Sequence, residues 1–423
     1  MPSSPDAGFG ASLPAAGWHA PDAPWVRWAA FSWGFCAFFP VGVMYLNLLL
    51  TLTALLLSPG LGARVTRLRG SALAWPILAI LAWTLLAAGA GPWLVDTPTR
   101  LFHVLRVALV LFMGLALLPS EARAGLTGFL LAAVLAGLAV AVHHVWGLPS
   151  YAIWVSLLEA RNNFSSGNMI TMATACGLLF FLAVSGRVTR QDAWLALAGA
   201  LALALTVVFH SKSRNSQLLL VLLMLTAVAF RFRSLRACGA GLIMVVVLVA
   251  GVWYFSPQTM DRFVMLADEL QRASAATNYA TSGGVRWRMY QEAAQGMAQH
   301  PILGTGVGTW LPHWYSVWMG LDVDLPMVDK LKFADINNPH NDFLLAGMET
   351  GVVGLLLHVW LLLRVITQGW RQQSLAGGIT LIMGVTLFAT AMVNAPFRDA
   401  ALGMTLLWLL AVSLAAHGKP RHE

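Results

Sequence analysis

Long apolar runs separated by short polar connections dominate this chain. Runs of roughly 20 apolar residues are long enough to cross a bilayer as helices, whose backbone polar groups bond within the segment. Twelve such spans are predicted, at 25–40, 41–58, 72–90, 101–118, 125–146, 168–186, 193–210, 217–231, 237–255, 343–364, 374–394 and 399–416. We therefore expect an all-α polytopic membrane protein.

One long polar segment interrupts this pattern between the ninth and tenth spans. It divides the chain into a first membrane part at 1–255, a loop at 256–342 and a second membrane part at 343–423, which ends in a polar tail. Within the loop, 261–273 has an apolar stripe at helical spacing, which predicts a helix lying on the membrane surface. The loop is therefore expected to contain short helices.

The distribution of Lys and Arg predicts the orientation. If the N-terminus is inside, the short inner loops hold most of the basic residues, in agreement with the positive-inside rule. The short outer connections then hold Arg100, Arg161, Lys212, Arg214 and Arg398. The long loop is expected outside, which is the periplasm if the protein lies in the inner membrane of a Gram-negative bacterium.

Composition supports the membrane class and limits the chemistry. Hydrophobic residues make up 58% of the chain and charged residues 10%, and the net charge is +8. Because many of the basic residues are explained by topology, the charge predicts no nucleic-acid partner. The sequence has no phosphate-binding Gly-x-x-x-x-Gly-Lys motif and no dinucleotide-binding context. No cofactor is predicted, and the energy must come with the substrate or from a gradient.

Basic residues near the outer face are the first candidates for substrate contact. Arg100, His103 and Arg106 recur every three residues in the fourth span, so they lie near one helical face. An arginine inside a membrane is costly and marks a functional-site candidate, although snorkelling to the interface is the alternative. We expect this group to contact an anionic part of a substrate.

The turn at 210–217 is a second candidate. It carries Lys212 and Arg214 among serines, directly before a membrane span. The free N–H groups and the positive dipole end of that helix would point the same way as the two cations. This arrangement predicts a phosphate-binding site, with lipid headgroup contact as the alternative.

The loop contributes two further arginines and a tight turn. Arg286 and Arg288 lie on a predicted helix that ends before Pro301, about 200° apart, so both cannot face one site well. Gly304-Thr-Gly306-Val-Gly308 is predicted to be a tight turn rather than a nucleotide-binding signature. Asp322 and Asp324 have a spacing used by metal-dependent glycosyltransferases, but we expect them to be solvated loop residues and predict no metal.

His340 is the strongest candidate for chemistry. Pro339 precedes it, and Asn341 or Asp342 can cap the tenth span, so the histidine is predicted at a helix entrance on the outer surface. A neutral imidazole can accept a proton from an attacking hydroxyl. A structural histidine is the alternative.

Several short motifs in this order resemble the O-antigen ligase and polymerase superfamily. They are RNNFSSGN at 161–168, Ser213-Arg214, 284–290, PILGTG at 301–306 and PHNDFL at 339–344. Among these proteins the chain is most similar to the lipopolysaccharide O-antigen ligases. These are metal-independent membrane glycosyltransferases of the GT-C type that move O-antigen from undecaprenyl diphosphate to lipid A–core.

The resemblance implies roles for individual residues. His340 would be the catalytic base, and Arg214 with Arg286 or Arg288 would bind the donor diphosphate. Asn168 matches an asparagine of the family, and Arg161 lies in the same motif. Lys212, Arg100, His103 and Arg106 complete the set of substrate-binding candidates. The reaction implied is a single inverting displacement without a metal ion.

Three other functions stay open. An O-antigen polymerase would use the same donor, and a ligase for another acceptor would have a similar site. A transporter or flippase would explain the intramembrane Arg106, but it predicts broken helices in two related halves and polar residues near the midplane. The polar residues here gather on one face, which favours an enzyme.

Overall fold

The protein is a bundle of helices. The computed structural model describes residues 23–146, 166–211, 213–234, 281–323 and 325–416, together with short stretches between 236 and 279. Arg161, Lys212, Asp324, the predicted surface helix at 261–273 except for scattered positions, and much of the ninth span lie outside the described residues.

Fifteen α-helices are bounded within the described residues. The helices that precede the long loop are α1 Pro24–Phe35, α2 Val41–Leu56, α3 Leu61–Arg69, α4 Ala74–Ala90, α5 Thr97–Leu115, α6 Pro119–Trp146, α7 Ser166–Val184, α8 Arg190–His210 and α9 Arg214–Phe232. The loop and the last part of the chain contain α10 Ser282–Gln299, α11 Trp310–Gly320, α12 Met327–Ala334, α13 Asp342–Arg371, α14 Leu375–Val393 and α15 Ala401–Ala415.

The helices coincide with eleven of the twelve predicted spans, but fewer meet the length needed to cross a bilayer. Seven described helices are long and apolar enough, or eight if α2 and α3, which are bent by 110°, form one broken span. The first predicted span contains the 12-residue α1 followed by a three-residue 3-10 helix at Cys36–Phe38. The fold is therefore a multi-pass helical membrane protein, while the number of twelve spans stays a prediction.

The shortest apolar helix after the loop lies at the centre of the bundle. In α15 every residue from Leu402 to Ala415 is buried, and the helix packs against α5, α6, α7 and α14. Trp408 stacks on Trp33 of α1 with ring centroids 4.5 Å apart. A helix that is apolar on all sides is stable when protein surrounds it, so α15 forms the core onto which the outer helices pack.

The loop helices form a small core of their own above the bundle. Trp310, Trp314 and Trp318 follow one face of α11, fully buried and with successive centroids 5.7 and 5.4 Å apart. Their indole N–H groups donate to carbonyls on and next to α12, of Ile336, Phe333 and Lys330. This core also includes residues of α10 and of the first half of α13. It fixes α10 relative to the turn that precedes α13.

The predicted tenth span is not a continuous helix. Gly351 has a φ of 73° inside α13, and a Cβ at this position would lie 2.0 Å from the Ile302 carbonyl oxygen. The broken helix is completed by the loop: the Val352 N–H donates to the Pro301 carbonyl at 2.8 Å, and the Thr305 N–H donates to the Met348 carbonyl at 2.7 Å. Irregular backbone at membrane depth is tolerated where protein satisfies its polar groups.

The glycine-rich segment that packs against this break is a tight turn, as predicted. Gly304, Gly306 and Gly308 all have positive φ values. At Gly304 an added Cβ would lie 2.5 Å from the backbone of the broken helix. Glycine is needed here because the two backbones approach each other closely.

Candidate functional site

His340 lies in a hydrogen-bonded turn at the entrance of α13. Asn341 is the N-cap, and its side-chain oxygen accepts the Leu344 N–H at 3.0 Å, which decides between the two predicted caps. The His340 N–H donates to the Asn338 side-chain oxygen at 2.9 Å. His340 has a φ of 54°, an uncommon conformation for a residue with a side chain, and such outliers cluster at functional sites.

Helix α10 presents Arg286 and Tyr290 to this turn. The two residues are one helical turn apart, and the Tyr290 hydroxyl donates to the His340 carbonyl at 3.4 Å. Arg286 is close enough to act electrostatically on both side chains. Its positive charge contributes to lowering the pKa of His340, and it opposes the burial that raises the pKa of Tyr290.

Arg288 takes a different position on α10. Its guanidinium lies 2.6 Å from a carboxylate oxygen of Glu292 and 5.8 Å from the centroid of the Tyr279 ring. The second Glu292 oxygen lies 2.9 Å from His313 Nε2. The geometry thus separates the two loop arginines: Arg286 faces the His340 turn, and Arg288 holds a buried carboxylate.

The polar segment before α9 is shorter than the predicted turn at 210–217, because α8 ends at His210 and α9 begins at Arg214. Helix α9 begins at Arg214, and the hydroxyl of the N-cap Ser213 accepts the Ser216 N–H. The helix therefore begins three residues earlier than the predicted span, so Arg214 is its first residue. The Asn215 amide donates to the Val393 carbonyl at 3.5 Å.

The connection between α14 and α15 joins these parts, and sequence analysis did not identify it. The Asn341 amide donates to the Met392 carbonyl at 2.9 Å, one residue before the carbonyl that Asn215 contacts. The Asn394 side chain lies within hydrogen-bonding reach of the His340 imidazole. The Asp342 carboxylate accepts the Phe397 N–H at 2.8 Å. A short polar connection between two apolar runs was the signal available in the sequence.

The arginines of α5 have protein partners, and the structure assigns them to helix packing. Arg100 is 8% exposed and forms a salt bridge of 2.8 Å with Glu349 of α13. Arg106 is 4% exposed and donates to the carbonyls of Arg398 and Asp399 at 2.7 and 3.1 Å. Desolvated cations in hydrocarbon need such partners. The sequence did not show which acceptors would lie beside these arginines, and their predicted contact with a diphosphate stays a prediction.

His103 lines a small polar cavity near these arginines. The cavity has a volume of about 40 Å³ and is enclosed mainly by α5, α13 and the connection between α14 and α15. Its charged or titratable lining residues are Arg100, His103, Asp342, Glu349, His358 and Arg398. A space of this size accommodates a few water molecules and is too small for a sugar. His103 therefore lies beside the packing arginines, across a small cavity from Asp342 at the start of α13.

Asn168 lies in the first turn of α7, a helix that carries none of the other candidate residues. Its neighbour Gly167 lies next to α15, 3.5 Å from the Leu402 Cβ when a Cβ is added. Asn168 is half-buried. Its role in substrate binding stays a prediction, as do those of Arg161 and Lys212.

The protonation state of His340 follows from its surroundings. Burial and the Arg286 charge lower its pKa to about 4, and the hydrogen bond with Asn394 acts in the opposite direction. The imidazole is therefore neutral near pH 7 and has a lone pair that can accept a proton.

Carboxylates are not grouped as a metal site in the described part of the chain. No cluster of three or more His, Cys, Asp or Glu side chains suited to a metal ion is found there. Asp322 is exposed to solvent. Positive charge near His340 is supplied by Arg286.

Comparison with known proteins supports a relation to one superfamily. Residues 199–359 match the family profile described as O-antigen ligase. The matched segment includes Arg214, Arg286 and His340, and it ends inside the second half of α13. No curated protein matches the chain significantly. The similarity indicates an enzyme of the ligase or polymerase kind that acts on lipid-linked sugars.

Proposed function

We propose that the protein is a lipopolysaccharide O-antigen ligase. It would transfer O-antigen from undecaprenyl diphosphate to lipid A–core at the periplasmic face of the bacterial inner membrane. The proposal rests on one observation. Helix α10, the start of α9 and the end of α14 with its following connection meet near the turn that carries the neutral His340, and all three carry polar groups. The similarity to O-antigen ligases over residues 199–359 supports the substrate class.

The donor would be held by arginines. Arg214 begins α9, and its neighbour Asn215 contacts Val393, the last residue of α14, next to the Met392 carbonyl that Asn341 contacts and before Asn394, which lies beside His340. Arg286 of α10 acts electrostatically on His340. Two guanidinium groups can bind an anionic diphosphate through charge-assisted, bidentate hydrogen bonds. They would also stabilise the charge that develops on the leaving diphosphate.

His340 would act as the base. The acceptor sugar hydroxyl gives its proton to the imidazole while its oxygen bonds to the anomeric carbon of the donor. The bond between that carbon and the diphosphate oxygen breaks, and undecaprenyl diphosphate leaves with the electron pair. A single displacement of this kind inverts the anomeric configuration and requires no metal ion in this proposal.

The lowered pKa of His340 describes the protein without bound substrate. A base works best when its pKa is near the working pH, and a value of about 4 is below that range. A diphosphate bound beside the imidazole would offset the Arg286 charge and raise the pKa. Donor binding would therefore prepare the base for the acceptor.

The experiment is transfer by the purified protein in lipid nanodiscs. Undecaprenyl-diphosphate-linked glycan is the donor, lipid A–core is the acceptor, and the product is read as a gel shift. We expect product from the wild type and none from His340→Ala at equal amounts of folded protein. Longer lipid-linked glycans made without lipid A–core would identify a polymerase instead.

A transporter is the alternative from another class of protein. Broken α13 is a feature that transporters use at substrate sites. Here the Thr350 carbonyl at the break accepts the Trp83 indole N–H at 2.8 Å, and Thr305 and Pro301 bond to the neighbouring backbone. These contacts favour a structural break. Movement of the lipid-linked glycan across vesicles, with no covalent product, would support the transporter and contradict the ligase.

A further inference from the structure

Asn394 is the residue of the α14–α15 connection whose side chain lies beside the His340 imidazole. It follows directly after α14 as its C-cap, and its N–H donates to the Thr390 carbonyl at 2.8 Å. The contacts of Asn341 with Met392 and of Asp342 with Phe397 hold the connection against the His340 turn on both sides of Asn394. The position of Asn394 is therefore fixed by its own helix and by the turn that carries the histidine.

The orientation of the Asn394 amide is defined by a second contact. Its side-chain oxygen accepts the Ala395 N–H at 2.9 Å. A backbone N–H can only donate, so this bond identifies which end of the amide is the oxygen. An amide oxygen has two lone pairs, and one remains for a further donor.

We infer that Asn394 is a positioning residue for His340, and that its side-chain oxygen accepts an N–H of the imidazole. This hydrogen bond selects one tautomer of the neutral ring. The other ring nitrogen then carries the lone pair, as a base requires. The inference rests on the proposed function, because it assigns a role to Asn394 in proton transfer from the acceptor hydroxyl.

The Asn394 side chain lies within hydrogen-bonding reach of the imidazole and raises the pKa of His340 against the effects of burial and Arg286. The choice of the oxygen as the acceptor rests on the Ala395 contact. An acceptor at one ring nitrogen stabilises the protonated ring. A base oriented by a third group is a recurrent arrangement in enzymes.

Two substitutions test the role by activity. Asn394→Ala removes the acceptor, and we expect kcat to fall about 10- to 100-fold with the donor KM changed less than about threefold. Asn394→Asp keeps an acceptor and adds negative charge, so kcat should recover in part and the acid limb of its pH profile should move up by about one unit or more. An unchanged kcat in Asn394→Ala would overturn the inference.

A matched control separates positioning from general loosening of the connection. Asn215→Ala removes another asparagine contact to the same segment, at the Val393 carbonyl, without touching the imidazole. We expect the acid limb of the pH profile to stay in place in this variant. An equal shift of the limb in Asn215→Ala and Asn394→Asp would contradict a specific role for Asn394.

A measurement without substrate keeps the test independent of the proposed reaction. The pKa of His340 is obtained from the pH dependence of its modification by diethyl pyrocarbonate, followed on the His340 peptide by mass spectrometry. Asn394→Asp should raise this pKa relative to the wild type. A raised pKa in a protein that transfers no glycan would place the failure in the proposed function, whereas an unchanged pKa would overturn the hydrogen bond itself.

Discussion

Two groups of arginines on the same side of the protein have different surroundings. In the α5 group, Arg100 pairs with Glu349, and Arg106 donates to the carbonyls of Arg398 and Asp399. In the His340 group, Arg286 acts on a neutral imidazole and on the Tyr290 phenol. The α5 arginines are paired with acceptors of the protein itself, whereas Arg286 lowers the pKa of a candidate base.

The comparison teaches that an intramembrane arginine can be satisfied by acceptors of the protein itself. Both groups have the residue types expected for diphosphate binding, and the α5 group has the more regular helical spacing. The difference lies in carboxylates and carbonyls brought in from distant parts of the chain. Variants of the two groups should therefore separate catalytic loss from loss of stability.

The largest effect is expected at His340. His340→Ala removes the proposed base, and we expect transfer to fall about 10²- to 10⁴-fold while the protein still folds and inserts. The assay is glycan transfer per folded protein, with folding checked by size-exclusion chromatography and thermal unfolding. Residual transfer above a tenth of the wild-type rate would contradict a base at this position.

The two arginines of α10 give the next largest contrast. Arg286→Ala removes the charge beside His340, and we expect a loss of about 10²- to 10³-fold in transfer. Arg288→Ala should affect stability instead, because the buried Glu292 loses a charged hydrogen bond, at a cost of about 2 kcal/mol. Rates and unfolding temperatures of both variants are compared at one pH. A large loss of transfer in Arg288→Ala, with a loss of stability only in Arg286→Ala, would show that Arg288 is the substrate contact.

The α5 group should show the opposite behaviour. Glu349→Ala leaves Arg100 buried without its carboxylate, and we expect a loss of about 3 to 5 kcal/mol in the free energy of unfolding. Replacing both residues, as Arg100→Met with Glu349→Leu, should restore much of that stability. Transfer by the folded double variant is expected to stay within about threefold of the wild type. A loss of more than tenfold at full stability would return Arg100 to the substrate site.

A smaller effect is expected in the pH dependence. His340 has a pKa of about 4 without substrate, so protonation removes the base only when the pH falls toward that value. The rate kcat/KM should therefore show no acid limb near the ordinary histidine pKa of about 6.5. Arg286→Gln removes one cause of the lowered pKa, so its limb should move to higher pH by up to about one unit. A wild-type limb near 6.5 would contradict the assignment.

Local features of the site were predictable because they depend on neighbouring residues. The cap of α13 at Asn341, the start of the helix after the serine-rich turn and the helix that carries Arg286 follow from short-range patterns. Arg288 and Glu292 are four residues apart, and this spacing favours an ion pair. It could have separated Arg288 from Arg286 at the sequence level.

Contacts between distant segments were not predictable from one sequence. Glu349 lies 249 residues from Arg100, and no local pattern connects them. The break at Gly351 occurs in an apolar run whose composition suits a continuous helix. Its backbone groups bond to Pro301 and Thr305 of the loop, which only folding brings next to the break. Asn394 was missed for the same reason, because its meaning depends on the position of His340.

The smallest effect is expected where acidic residues are most exposed. Asp322 lies in the loop on the solvent side, and its Asp-x-Asp spacing is the feature of this chain most like a metal-dependent transferase. If arginines supply the positive charge at the diphosphate, Asp322→Ala should change transfer less than about twofold, since surface substitutions are usually small in effect. Addition of EDTA should likewise leave the rate unchanged. Inhibition by EDTA that added Mg²⁺ reverses, together with loss of transfer in Asp322→Ala, would move the charge that stabilises the leaving group from Arg214 and Arg286 to a metal ion. The contrast between the two arginine groups would then describe only how the helices are held together.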